Sequence, residues 1–238
     1  MGMASFELHD HVAVMTLDGD ENRFNPDFLN AFFETLDAIE NETEAATLVV
    51  RSAHEKIFSN GIDLEWLVPI IQKGDTETAK TFFLDLNRLF RRTLTSPLVT
   101  VAAIGGHAFA GGAIWSCAFD FRFMRSDRGY FCFPEVDLGI PFLPGMLALL
   151  KKAIPMPALE RLHHLGVRLT AEECERERIV LKACHIDTLM DETLAFAAEI
   201  RKKRAIVAEM KRRFHKDVLH AIDVEDIPYI ESGVFHIG

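Results

Sequence analysis

Labilising a proton next to a carbonyl takes hydrogen donors at the oxygen and a base at the neighbouring carbon. Three short segments of this 238-residue chain have residues suited to both tasks. Two are glycine-bearing turns, Ser59-Asn60-Gly61-Ile62-Asp63 and Gly106-His107-Ala108-Phe109-Ala110-Gly111-Gly112. Main-chain N–H groups are free for a ligand where a strand turns into a helix, because the first helical residues have no internal acceptor. Gly111-Gly112 lies at such a junction, and without side chains it lets a substrate approach the backbone. Ile62 enters a second apolar helix start, Leu64, Trp66 and Leu67. The third segment holds Glu135 among phenylalanines, with Ile140, Phe142 and Leu143 following. Partial desolvation there would raise its pKa and make it a better base near neutrality. Singly, each glycine turn also reads as a tight turn without a ligand, and Glu135 as a loop residue facing water.

These segments must be held by regular elements. The valine-rich run His11 to Leu17 predicts a strand ended by Asp18-Gly19-Asp20. Asn25 predicts a cap and Pro26 the start of a helix whose apolar face is Phe28, Leu29, Phe32, Phe33, Leu36 and Ile39. Leu48 to Val50 and Leu98 to Ile104 read as strands, and Ala79 to Arg92 as an amphipathic helix between them. A short apolar helix to about Ala118, a strand over Phe119 to Met124 and another over Tyr130 to Phe133 follow. The alternation predicts an α/β fold. Beyond Gly145 only helices are expected: Met146 to Ala153, Ala158 to Leu165, Ala171 to Arg178 with a Thr170/Glu173 capping box, and one long helix from about Glu192 to Phe214. Ile200, Val207, Met210 and Phe214 form one stripe of that last helix, which needs a partner surface from this chain or a neighbouring subunit.

The composition, 49% hydrophobic and 26% charged, is that of a globular protein, and no apolar stretch approaches the length of a membrane span. A cytoplasmic location is the expectation. The formal charge of −10 argues against a nucleic-acid partner, although Arg201 to Arg204, Lys211 to Arg213 and Lys216 form a basic run. Cys117, Cys132, Cys174 and Cys184 lack paired spacing, so buried thiols are expected rather than zinc or disulfides.

Taken together and in order, the three segments resemble the crotonase, or enoyl-CoA hydratase/isomerase, superfamily over roughly residues 5 to 185. Lys56 to Leu64 resembles its F-S-x-G-x-D-L segment, Gly106 to Asp120 its second glycine segment, and Phe133 to Gly139 its P-E-x-x-L-G segment. Asn22 to Pro26 resembles the loop covering the coenzyme A nucleotide. The resemblance implies a spiral of ββα units over residues 1–185, a helical region over 186–238 available as an oligomer contact, and homotrimers or hexamers. By position, the N–H groups of Ile62 and Gly111 would form an oxyanion hole and Glu135 the acid/base. Arg23, Phe24, Ser59, Gly61, Asp63, Leu64 and Gly112 would contact the acyl-CoA. Coenzyme A enters as part of the substrate, with no other cofactor and no metal.

Hydratases of the family carry a further glutamate where this chain has Ile114. Isoleucine cannot hold water, so the resemblance points to the delta(3),delta(2)-enoyl-CoA isomerases, most closely in Phe58 to Trp66 and Met124 to Gly139. Other enolate chemistry, or a non-catalytic acyl-CoA binder, stays open. Ala110 replaces the first glycine of the usual triplet, and Arg178 stands where a glycine often ends a helix. The chain closes without a Ser-Lys-Leu address. His107 reads as packing or as a base, the His163-His164 pair as half-exposed and without metal-site spacing, and Trp66 as core. Asp63 and Asp120 also read as capping or loop residues, and Asp137 becomes the alternative acid if its segment is a turn.

Overall fold

The computed structural model describes residues 2–234. β1 (Ala4–His9) and β2 (Val12–Leu17) form an antiparallel hairpin, after which every ladder between named strands is parallel and needs a crossover. The first crossover carries β3 (Arg23–Phe24) and α1 (Pro26–Glu42) to β4 (Thr47–Ser52). The second carries β5 (Ile57–Ser59), β6 (Gly61–Ile62), α2 (Leu64–Gln72) and α3 (Thr76–Leu94) to β7 (Val99–Ile104). The third carries β8 (His107–Phe109) and α4 (Gly111–Ser116) to β9 (Phe121–Arg125). β10 (Phe131–Cys132), α5 (Glu135–Leu138), α6 (Pro144–Ala153), α7 (Met156–Leu165) and α8 (Ala171–Arg176) lead to β11 (Lys182–Cys184). α9 (Ile186–Ala198), α10 (Arg204–Phe214), α11 (Lys216–His220), a π-helical turn (Ala221–Glu225) and α12 (Ile227–Glu231) complete the described chain.

The main sheet runs β1-β2-β4-β7-β9-β11, with β10-β8-β5 and β3-β6 as smaller parallel sheets. The architecture is therefore an α/β spiral of ββα units with a helical C-terminal region. Side chains alternate across the main sheet. Val12, Val14, Val49, Val101, Ala103 and Phe123 face α9, whereas Ala13, Met15, Leu17, Val50, Ala102 and Ile104 face the larger core. Burial of both faces explains why these strands read as continuous apolar runs.

All six apolar positions expected on α1 are buried, and the Asn25 side chain accepts from Phe28 N as the predicted cap. The Thr170/Glu173 capping box is present. All four cysteines are buried free thiols. Arg178, which stands where a glycine often ends a helix, takes a positive φ of 60°, and α8 ends two residues earlier than predicted.

Two expectations need correction. Lys182–Cys184 is a strand beyond Gly145, paired with β9 over three residues, too short for a period to show. The single helix expected from Glu192 to Phe214 is two, because the chain is held on both sides of the break, by Thr47 of β4 before it and by the end of α1 and the loop that follows α1 after it. Thr47 Oγ1 donates to Ala197 O and Ile200 O, and the Arg204 guanidinium donates to Ala45 O and Glu40 O. Ile200 thus falls in the break, while Met210 and Phe214 are 65% and 83% exposed, so the proposed stripe is not continuous or buried within this chain. Among the described residues no helix is long and apolar enough to cross a membrane.

Candidate active site

The first glycine turn is fixed by two buried side chains from segments that the resemblance assigned to the acyl-CoA, Asn22 and Ser59. Asn22, fully buried, donates from Nδ2 to Phe58 O (2.9 Å) and Ser52 Oγ (2.8 Å). Ser59 Oγ donates to Asn22 O (2.7 Å) and accepts from Gly61 N (3.1 Å). These bonds fix the entry to β6. Asp63 N then donates to Phe24 O at 3.0 Å. Successive N–H groups of a strand point to opposite edges, so the Ile62 N–H is directed away from β3.

α4 supplies the second turn. Gly111 is its first residue, so its N–H has no acceptor within the helix. Ala110 before it adopts φ 49°, ψ −130°, a region that favours glycine. Every residue of α4 is buried. Trp115 anchors it, ringed by Phe24, Phe28, Phe32, Phe58 and Phe119 at centroid distances of 5.2 to 6.3 Å, with its indole N–H donated to Thr93 Oγ1 (2.9 Å). A Cβ on Gly112 would lie 2.3 Å from Ser59 O, so the two turns touch where only glycine fits.

Glu135 begins α5, a helical turn closed by Gly139 in the left-handed region (φ 67°). Its side chain is 7% exposed, its Oε2 has no hydrogen-bond partner, and burial raises its pKa to about 7. Ile62, Gly111, Ile114 and Glu135 line one cavity of about 280 Å³. Leu64, Leu67, Phe83, Phe142, Met146 and Tyr229 line it too, making the walls apolar. A thioester in this space would find two main-chain donors and one carboxyl group of near-neutral pKa. Such an arrangement can stabilise an enolate and move a proton.

The structure brings Glu135, Ile62, Gly111 and Leu64 to the cavity and leaves the other expected contacts outside its lining. Ser59, Phe24, Gly61 and Gly112 are buried in the frame, Ser59 with its hydroxyl already engaged. Asp63 caps α2 through Trp66 N and accepts from Asn25 Nδ2. Arg23 pairs with Glu21 at 2.6 Å and Glu65 at 3.4 Å, partly exposed. Asp137 is on a turn, but it is exposed and its carboxylate lies against Gly166. His107 packs between Phe109 and Tyr130, and Trp66 against Phe82. Tyr229, Ser232 and Val234 line the cavity from α12 and the residues after it, with no signal in the sequence. Among the described residues no cluster of His, Cys, Asp and Glu is placed to hold a metal ion.

A family model described as enoyl-CoA hydratase/isomerase matches residues 7–235. The chain is 26% identical over 230 residues to enoyl-CoA delta isomerase 3 of Arabidopsis thaliana, covering 93% of this chain and 96% of the relative. It is also 26% identical over 209 residues to a short-chain-enoyl-CoA hydratase of Clostridium acetobutylicum, covering 87% and 78%. The solved structure of an enoyl-CoA hydratase from Mycobacterium ulcerans superposes with a TM-score of 0.86 at 23% identity, covering 98% of this chain and 99% of that one, a likeness of fold.

Proposed function

Since the chain belongs to the enoyl-CoA hydratase/isomerase family, we propose that it shifts the double bond of a 3-enoyl-CoA to position 2. Ionised Glu135 takes a proton from C2, and the electron pair spreads through C3=C4 onto the thioester oxygen. The N–H groups of Ile62 and Gly111 donate to that oxygen. Glu135, now a carboxylic acid, returns the proton at C4 and a C2=C3 bond remains. The reaction rearranges a proton and electrons within the substrate, so it requires no cofactor besides the coenzyme A that the substrate carries.

One observation carries this reading over hydration: Glu135 is the one carboxylate among the described residues lining the cavity, and Ile114 shares that lining. Adding water across C2=C3 needs a second polar group to hold it, and a hydrocarbon side chain offers none. A near-neutral pKa suits a group that must act as base and then as acid. Each oxyanion donor is worth about 10² to 10³ in rate. The test is incubation of purified protein with 3-enoyl-CoA and, separately, 2-enoyl-CoA, with products resolved by mass. A shifted double bond without gain of water supports the proposal; a hydrated product as the main one overturns it.

The proposal extends to assembly. Ile206, Met210 and Phe214 on α10 are 57%, 65% and 83% exposed, an apolar face that copies in a homotrimer or hexamer would cover. Sedimentation at micromolar concentration checks this, and a monomer would exclude it.

A further inference from the structure

The basic run around Lys211 helps to build a cleft beyond the end of α4 opposite Gly111. It encloses about 690 Å³, and six of its nine lining residues are ionisable: Asp120, Arg122, Lys152, Lys211, Arg213 and His215. None of them lines the Glu135 cavity. Met210, Arg213 and Phe214 are exposed at the rim, so small ions can enter. The charges are unbalanced, four cations against one carboxylate. Asp120 Oδ2 is already taken by Lys211 Nζ (2.6 Å), Thr100 N (2.7 Å) and Thr100 Oγ1 (3.1 Å). Lys152 Nζ and Arg122 Nη1 both donate to Phe119 O, at 2.8 and 3.0 Å, so their charges lie within about 6 Å and repel. Their other hydrogen bonds among the described residues also go to neutral carbonyls, Cys117 O, Ser116 O and Ile179 O. These bonds suit the C-terminal end of α4, yet they leave donors over. Each protonated lysine keeps one N–H after its two bonds, and Arg122 keeps both on Nη2. Arg122 and Lys211 are buried, and burial, then Arg122, lowers the Lys152 pKa from 10.5 to about 7. Positive charge left without an offset in such a place is costly.

We propose that this cleft binds a tetrahedral dianion, phosphate or the phosphate end of a monoester. Two negative charges and three or more acceptor oxygens match the surplus charge and the spare N–H groups, which converge from α6, β9 and α10. A carboxylate brings one charge and two oxygens, which leaves part of that surplus in place. The distinction matters because Met210 and Phe214 also belong to the α10 face proposed to meet other copies, so a carboxylate of a neighbouring copy is the rival occupant. A bound dianion favours the charged form of Lys152, and affinity falls as pH rises through 7 and that lysine loses its proton. His215, lowered to about 4 by burial and the nearby Lys152, stays neutral over this range.

Calorimetric titrations with sodium sulfate, inorganic phosphate and AMP, at a constant ionic strength of about 0.15 M, compare wild type with Lys152→Met and Arg213→Ala. Sulfate keeps both charges at every pH used, so its affinity reports the protein alone. Expected is saturable sulfate binding at pH 6 that weakens about tenfold by pH 9. In Lys152→Met it should be about tenfold or more weaker at pH 6, with that pH dependence gone. Arg213→Ala, a change at the exposed rim, should weaken it about twofold or more and keeps the test open if Lys152→Met does not fold. Phosphate binding as tightly as AMP assigns the free anion, and tighter AMP assigns the monoester. Absence of saturable binding at pH 6 overturns the site, as does equal affinity in wild type and the folded variants. Assembly that is lost in either variant by sedimentation, with no anion bound by wild type, gives the cleft to a neighbouring copy and overturns the site as well.

Discussion

Gly61 and Gly111 meet backbone to backbone. A Cβ on Gly61 would lie 2.4 Å from the Gly111 nitrogen and 2.8 Å from its Cα, and Gly61 also holds φ 73°. This contact brings the start of β6 against the start of α4 and so sets the spacing of the two proposed donors. Gly61→Ala must push them apart. A fall in isomerisation of about 10² or more is expected, the loss of one aligned donor, with a stability cost of roughly 1–3 kcal/mol from backbone strain. Steady-state rates with a thermal melt check it, and a folded variant of full activity would remove the oxyanion assignment.

Glu135→Gln keeps the shape and removes the base. Isomerisation should fall by about 10²- to 10⁴-fold. Wild-type activity should rise with pH and level off above about 7, where the carboxylate is ionised. Stability moves the other way. The folded pKa is raised from 4.5 to about 7, so the stabilising contribution is full below pH 4.5 and is lost as pH rises through 7. That loss is about 3 kcal/mol, and the variant should escape it. Denaturant unfolding at pH 4.5 and 8 checks this: Glu135→Gln should exceed wild type at pH 8 only.

What the sequence announces are the features with a local cause. Phe28 to Ile39 repeat at helical spacing, Asn25 and Pro26 begin α1, and Thr170 with Glu173 caps α8, each legible from a few adjacent residues. The glycine turns and Glu135 were legible by motif. Features made by distant residues were not. Thr47 and Arg204 break the C-terminal helix from across the fold, Asn22 engages the Ser59 loop, and α12 brings Tyr229 to the cavity. A pair such as Arg122 and Lys152, 30 residues apart and joined by a shared acceptor, leaves no spacing to read.

Ala110→Gly should stabilise the protein. The left-handed backbone at φ 49°, ψ −130° costs an alanine energy that glycine avoids. The gain, net of the greater freedom of glycine in the unfolded chain, is about 1 kcal/mol. Ala110 N donates to Cys132 O, a bond that glycine keeps, so the Gly111 N–H should stay in place and activity be retained. Denaturant midpoints and rates measured together check it; a loss of stability would mean that the alanine methyl packs favourably enough to outweigh the strain.

Asp226 ties three walls of the cavity together. It is fully buried, accepting from Gly145 N at the start of α6 (2.7 Å) and from Asn87 Nδ2 on α3 (3.0 Å), and it immediately precedes α12. Those helices contribute Met146, Phe83 and Tyr229 to the cavity lining. Asp226→Ala leaves two buried donors without this acceptor, at a cost of roughly 2–4 kcal/mol. Because the walls shift while Glu135 and the donors sit on other elements, KM should rise more than kcat falls. Burial raises the Asp226 pKa from 3.8 to about 6, so its contribution to stability is full below pH 3.8 and is lost as pH rises through 6. Asp226→Asn carries no charge and should flatten that part of the stability curve, by about 3 kcal/mol between the two limits. Unfolding free energies at pH 4 and 7 for wild type and Asp226→Asn measure the difference. Equal pH slopes would show that Asp226 is ionised as readily in the folded chain as in the unfolded one, and the carboxylate would then hold the three helices as a charged clamp.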